Sequence, residues 1–229
     1  MKLSENTVEI LKNFAILNQG LVVKKGNILK TVSINKSIKA EALIEEEFKQ
    51  DFAIYDLNKT LGIFSLNKGI QPEVEVEKDC LKFTGCGTGT IRQRYASPAL
   101  IFGHDKLDSP MNIEKFEAHV ILSKEVYSWI FSVASILGCP NVVIKSSNGK
   151  GIQVFAEDVK GAIVDDAFIG INGVTDGPFQ AVLKIENLKI IPGDYDVAIS
   201  KNGITRFKHQ TKKIVYYITL ESKTSRFET

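Results

Sequence analysis

Cysteine is scarce in this chain. Cys80, Cys86 and Cys139 make an odd count without CxxC spacing, which argues against a disulfide framework and fits free thiols in a reducing compartment. Long hydrophobic runs are missing too, since no apolar stretch approaches the roughly 20 residues that span a bilayer. Charge of one sign is not in excess: 29 Lys and Arg face 27 Asp and Glu, a formal +2. A nucleic-acid partner would therefore need basic residues segregated on one face. Met1-Lys2-Leu3-Ser4 passes straight into an amphipathic segment, so the expectation is a soluble intracellular protein without a signal peptide.

Catalytic signatures are equally thin. His104, His119 and His209 lie far apart, at no recognisable metal-ligand spacing from a Cys or carboxylate. Asp165-Asp166 is the only adjacent Asp pair and reads as a solvated loop, and no Ser/His/Asp or Cys/His elbow occurs. Gly85-Cys86-Gly87-Thr88-Gly89 looks like a phosphate loop but is followed by a strand pattern, Thr90–Tyr95, instead of a helix. A hairpin turn is the plainer reading. The chain is expected to have no catalytic residues, no metal and no cofactor.

What the chain does have is a pattern written twice. Phe52–Leu61 reads as a short apolar strand running into a helix capped by Asp56, and Ala181–Leu188 repeats the pattern. Each copy follows a longer amphipathic helix, one opening at Ser4 and one at Ser123, and each precedes hairpin strands. Over Ser4–Leu17 the apolar positions Val8, Ile10, Leu11, Phe14, Ala15 and Leu17 make a wide face, with Glu5, Glu9, Lys12 and Asn13 opposite. Gly20 ends this element. Strands are expected at Leu21–Val23, Ile28–Ile34 and Ile38–Ile44, then an acidic loop Glu45–Glu47, the repeated motif with a helix near Asp56–Leu66, a stop at Asn67-Lys68-Gly69, and strands at Val74–Glu77, Cys80–Thr84 and Thr90–Tyr95.

Ser97–Asn112 breaks the pattern with Pro98, Gly103 and Pro110 around an apolar Leu100-Ile101-Phe102 cluster. It marks a boundary between residues 1–96 and 113–229, and its apolar trio suggests a connector lying against something. The second unit reads as a strand Lys115–Leu122, a helix Ser123–Leu137 ended by Gly138, and strands Val142–Lys145 and Gly151–Phe155 around an Asn148-Gly149 turn. Asp158–Pro178 reads as loop with one possible strand at Ala162–Val164; the motif follows, then Tyr195–Ile199, Ile204–His209, Ile214–Leu220 and a polar tail. Two such units would put four helices on one side of curved sheets. Lys12, Lys59, Lys124 and Lys189 fall on those helices, with Lys2 and Lys184 at helix edges. Solvated lysines are routine on helix faces; the sharper reading is a surface that contacts DNA phosphates without reading bases.

With the duplication in view, the chain resembles the sliding clamps of T-even-type bacteriophages from end to end. The resemblance is carried by Met1-Lys2-Leu3-Ser4 with Ile10–Ala15, Tyr55-Asp56-Leu57-Asn58, Lys189–Tyr195 and Tyr216–Glu221. It implies an α+β fold of two similar DNA-clamp domains, each with two helices on one face of curved antiparallel sheets. It also implies a ring of three chains joined head to tail. Such a ring encircles duplex DNA and tethers the replicative polymerase as its processivity factor, in the cytoplasm of the infected bacterial host. The implied peptide groove for the polymerase C-terminus, the clamp loader and late-transcription factors is bordered by Leu100, Ile101, Phe102, Tyr195, Tyr217 and Thr219. The Ser-rich helix Ser123–Leu137, with one lysine, is less basic than a clamp lining would be. The competing reading is a β-rich viral structural or assembly protein that does not touch DNA.

Overall fold

The computed structural model describes residues 1–66, 71–86, 88–111, 113–147, 151–161 and 165–228, and the chain divides into two compact units, Met1–Ser109 and Pro110–Thr229. The expected stop at Asn67–Gly69, the Asn148-Gly149 turn and the possible strand Ala162–Val164 lie outside the described residues.

The first unit opens with helix α1, Glu5–Leu17. Its N-terminus is held from two directions: Ser4 Oγ accepts from the Thr7 N–H at 3.2 Å, and the Glu46 carboxylate accepts from the Ser4 N–H and, at 2.5 Å, from the Thr7 hydroxyl. A negative charge at this end also suits the helix dipole. Glu46 is therefore no loop residue. The expected acidic loop Glu45–Glu47 belongs to a long strand, because its middle glutamate has a partner at the helix start. Val8, Ile10, Leu11, Phe14 and Leu17 are buried as the periodicity requires; Asn13, expected on the open face, is buried with them.

Strands β1 (Leu21–Val23), β2 (Gly26–Val32), β3 (Ile38–Phe48) and β4 (Phe52–Ile54) pair in the order β3-β2-β1-β4. Helix α1 packs on β2 and β3 and against α2, Leu57–Phe64. Asp56 caps α2 by accepting from the backbone N–H groups of Asn58 and Lys59. A second sheet holds β5 (Glu73–Val76), β6 (Cys80–Cys86) and β7 (Gly89–Arg94) in that order. Cys86 pairs with Gly89, so the Gly-rich stretch joins two antiparallel strands.

The second unit runs β8 (Ala118–Leu122), α3 (Lys124–Leu137), β9 (Asn141–Ser146), β10 (Ile152–Glu157), β11 (Ala167–Ile171), β12 (Gly173–Thr175) and β13 (Phe179–Lys184). A 3-10 turn at Ile185–Leu188 leads to β14 (Tyr195–Ser200), β15 (Ile204–His209), β16 (Ile214–Thr219) and β17 (Arg226–Phe227). The strand orders are β12-β8-β14-β15-β16 and β11-β10-β9-β13-β17. Ser123 caps α3 by accepting from the Val126 N–H, and Gly138 ends it at φ 68°.

Three expectations need correction here. Asp158–Pro178, expected as loop with one possible strand, also holds β11 and β12; the polar tail carries β17. Of the four expected helices, three are α-helices among the described residues, and Lys189 lies beyond a 3-10 turn instead of on a helix. Lys184, at the cap position of that turn, makes no capping hydrogen bond with its side chain. Pro192 then disfavours helical backbone at Ile191, leaving too little chain for α-helix.

Candidate functional site

The six lysines divide evenly between the units. Lys2, Lys12 and Lys59 belong to the first, and all three are exposed. Lys12 shares the open face of α1 with Glu5, Glu9 and Ile16, so that helix surface carries no net positive charge. Lys59 Nζ lies 3.9 Å from its own cap, Asp56, and is otherwise turned to solvent.

In the second unit Lys124 follows the α3 cap, where its backbone N–H donates to Asp194 at 2.8 Å while its side chain stays exposed. Exposed Ser128, Ser132 and Ser135 continue that face. Lys184 is partly covered between Glu186 at 3.9 Å and Glu221 at 3.6 Å. Lys189 is exposed at the end of the 3-10 turn. That turn is docked to α3 by Tyr127, whose hydroxyl donates to Leu188 O at 2.6 Å. Burial pushes the Tyr127 phenol far above its usual range, so it stays a donor. Each unit thus sets one long helix beside one short helical segment.

The connector behaves as part of the first unit. Ile101 and Leu107 are buried in a cluster with Val22, Val32 and Ala53. Gly20 makes this possible: a Cβ there would lie 2.7 Å from Ile101 Cδ1. The glycine read as a helix stop is instead the seat of the connector. Gly103 turns the chain at φ 72°, where a Cβ would also lie 3.3 Å from Val32 Cβ. Asn18 Nδ2 donates to Val32 O and Phe102 O, both at 3.0 Å. Further along, Lys30 pairs with Asp108 at 2.9 Å and Lys39 donates to Ser109 O at 2.6 Å. The Lys30 hydrogen bond holds the Asp108 carboxyl below its usual range, whereas burial, helped by the Lys30 charge, lowers Lys39. Burying one Ile or Leu side chain is worth about 1.5–3 kcal/mol, against about 0–1 kcal/mol for an exposed ion pair. The apolar anchors therefore hold the connector and the charges orient its end.

That anchoring sorts the expected groove residues. Ile101 is 4% exposed and acts as an anchor, while Leu100 and Phe102 on either side are 64% and 37% exposed. Lys36 Nζ sits 5.7 Å from the Phe102 ring centre. Two further apolar side chains of the first unit that the sequence reading passed over are also open: Ile16 at 63% and Ile34 at 57%, the latter donating its N–H to Leu17 O. The available signal was an isoleucine placed directly before the Asn35-Lys36-Ser37 turn. In the second unit Tyr217 and Thr219 share the outer face of β16. Tyr195 does not join them. It has no exposed surface, donates its hydroxyl to Ile191 O, and packs its ring against Tyr127, Phe207, His209 and Tyr216.

Among the described residues one group could offer three metal ligands, Glu77, Asp79 and Cys80. Lys82 and Arg92 already face Glu77, at 3.7 and 3.8 Å, and Arg94 pairs with Asp79. Burial raises the Cys80 thiol, which disfavours the thiolate that a metal needs. No described helix is long and apolar enough to cross a membrane.

Comparison with known proteins settles the family. A sliding clamp of Vibrio phage KVP40 is 30% identical over 226 residues, spanning 97% of this chain and 100% of its relative. The chain belongs to the phage sliding-clamp family. The clamp of Enterobacteria phage T4 is 28% identical over 97% of both chains. The family described as DNA polymerase processivity factor matches residues 2–84. Among solved structures, a proliferating cell nuclear antigen of A. fulgidus, bound to the C-terminal region of FEN-1, superposes with a TM-score of 0.70 at 14% identity, over 100% of this chain and 98% of that one. The antigen of Entamoeba histolytica gives 0.69 at 12% identity, over 96% and 97%. The α+β clamp fold follows from these likenesses. The rival reading, a viral assembly protein, finds no support in them.

Proposed function

We propose that this clamp closes as a homotrimeric ring around duplex DNA and tethers the replicative polymerase, with no catalytic group of its own. The observation that carries the reading is family membership over nearly the whole chain, in a fold whose units each set a long helix beside a short helical segment. Edge strands supply the means of closure: β7 ends one sheet of the first unit, while β11 and β12 end the two sheets of the second. Phe168, Ile169 and Val174 on the latter are exposed, which suits burial against another copy's β7. A head-to-tail contact of this kind closes when its rotation does.

Lys2, Lys12, Lys59, Lys124, Lys184 and Lys189 are the proposed DNA-facing cations. With glutamates beside several of them, they hold phosphate loosely, and a sparse lining lets the ring slide while topology keeps it on the duplex. Leu100 and Phe102, extended by Ile34 and Ile16, form the proposed peptide face of the first unit, and Tyr217 and Thr219 that of the second. The polymerase C-terminus, the clamp loader and late-transcription factors are the proposed occupants, in the infected bacterium's cytoplasm. The test is retention on DNA after loading. On a nicked circle the clamp should survive a salt wash and then leave when the circle is linearised. Equal loss from circular and linear DNA would contradict the ring.

A further inference from the structure

We infer that Met1 and residues 221–228 act as strand guards, covering sheet edges so that self-association is confined to β7, β11 and β12. The inference rests on the ring reading for what those open edges do. An unpaired strand edge is a template for any other chain, and proteins that expose some edges on purpose must blunt the rest.

In the first unit the outer edge of β5 is taken by Met1. The Met1 nitrogen donates to Val74 O at 2.8 Å, and the Val74 N–H donates back to Met1 O at 2.7 Å. This is the reciprocal pair of an antiparallel ladder, one residue long. Exposed Glu73 on the same strand adds charge to that edge. The outer edge of β4 is met by the Ala96 N–H, which donates to Ala53 O at 2.9 Å.

In the second unit the edge of β13 is covered over most of its length. Phe179 and Gln180 pair with Phe227 and Arg226 of β17. The Glu228 N–H donates to Pro178 O, the Glu221 N–H to Val182 O, and the Val182 N–H to Ser225 Oγ. Gln180 Nε2 reaches Thr224 O at 3.0 Å, and the Phe227 ring stacks on Phe179 at 6.0 Å between centres. None of residues 221–228 is buried, and the core ends at Leu220. The segment therefore adds edge cover and little core. By contrast, no described backbone group pairs with the outer sides of β7, β11 or β12.

The test uses sedimentation velocity on the full chain and on a variant ending at Glu221, each with and without Val174→Asp. That substitution places a charge on the exposed apolar β12 and reads the ring separately. The truncated chain should form species several-fold heavier than the full chain at the same concentration, in both backgrounds, while its circular dichroism stays native. Phe227→Ala, which keeps the backbone cover but drops the ring stack, should show a smaller shift in the same direction and serves if the truncation fails to fold. Truncated and Phe227→Ala chains that match the full chain at every concentration would overturn the inference. A full chain whose mass ignores Val174→Asp would count against the ring edges alone.

Discussion

In the first unit the strand ending at Ile54 runs into an α-helix of 8 residues, whereas in the second the strand ending at Lys184 runs into a single 3-10 turn. The two places correspond in the duplicated pattern, and both sit beside the unit's long helix. What differs is local chemistry. Asp56 takes two orphan backbone N–H groups at the start of α2, and no proline follows within its length. Lys184 offers no such acceptor, and Pro192 closes the space ahead. The second unit compensates by a different contact, the Tyr127 hydroxyl on Leu188 O. A fold can thus keep a position in its layer while changing the element that fills it.

The largest way to break this comparison is through the second unit's aromatic centre. Tyr195→Ala should cost about 3–5 kcal/mol, the usual penalty for truncating a buried aromatic side chain. Chemical denaturation would check this; a cost near zero would return Tyr195 to a surface role. Next, Tyr127→Phe leaves Leu188 O without its donor and should cost about 1–3 kcal/mol, whereas Asp56→Ala in the first unit should cost about 1 kcal/mol. If the two costs were reversed in order, the short 3-10 turn would not depend on Tyr127 as described.

The connector gives a sharper contrast, because it belongs to the first unit and carries proposed partner contacts. Gly20→Ala pushes on Ile101 and should cost about 1–3 kcal/mol. It should also weaken binding of a polymerase C-terminal peptide, while Phe102→Ala weakens the peptide without the stability loss. Titration calorimetry beside thermal melts separates the two. The smallest stability effect is expected at the lysines: reversing Lys12 and Lys59 together should leave stability within about 0.5 kcal/mol and still reduce processive synthesis. Unchanged synthesis would remove both from the DNA-facing set.

Much of this was legible in the chain itself. Ser4, Asp56 and Ser123 announce their helices through short-range capping, and period-two patterns mark β6, β7 and β14 to β16 closely. What was not legible depended on residues far apart in sequence. Glu46 turns an apparent acidic loop into strand because it meets Ser4 and Thr7. Gly20 is required by Ile101, some eighty positions on. β11, β12 and β17 are short strands that only their neighbours define. Tyr195 looked available because a β-strand tyrosine can face either way, and only the packing around it decides.

The most direct measurement of the central claim is native mass by sedimentation equilibrium across a wide concentration range. The account predicts a species of three times the 25.4 kDa chain, dissociating on dilution if the edge contacts are weak. A mass of one chain at every concentration would contradict the ring, and with it the topological hold on DNA.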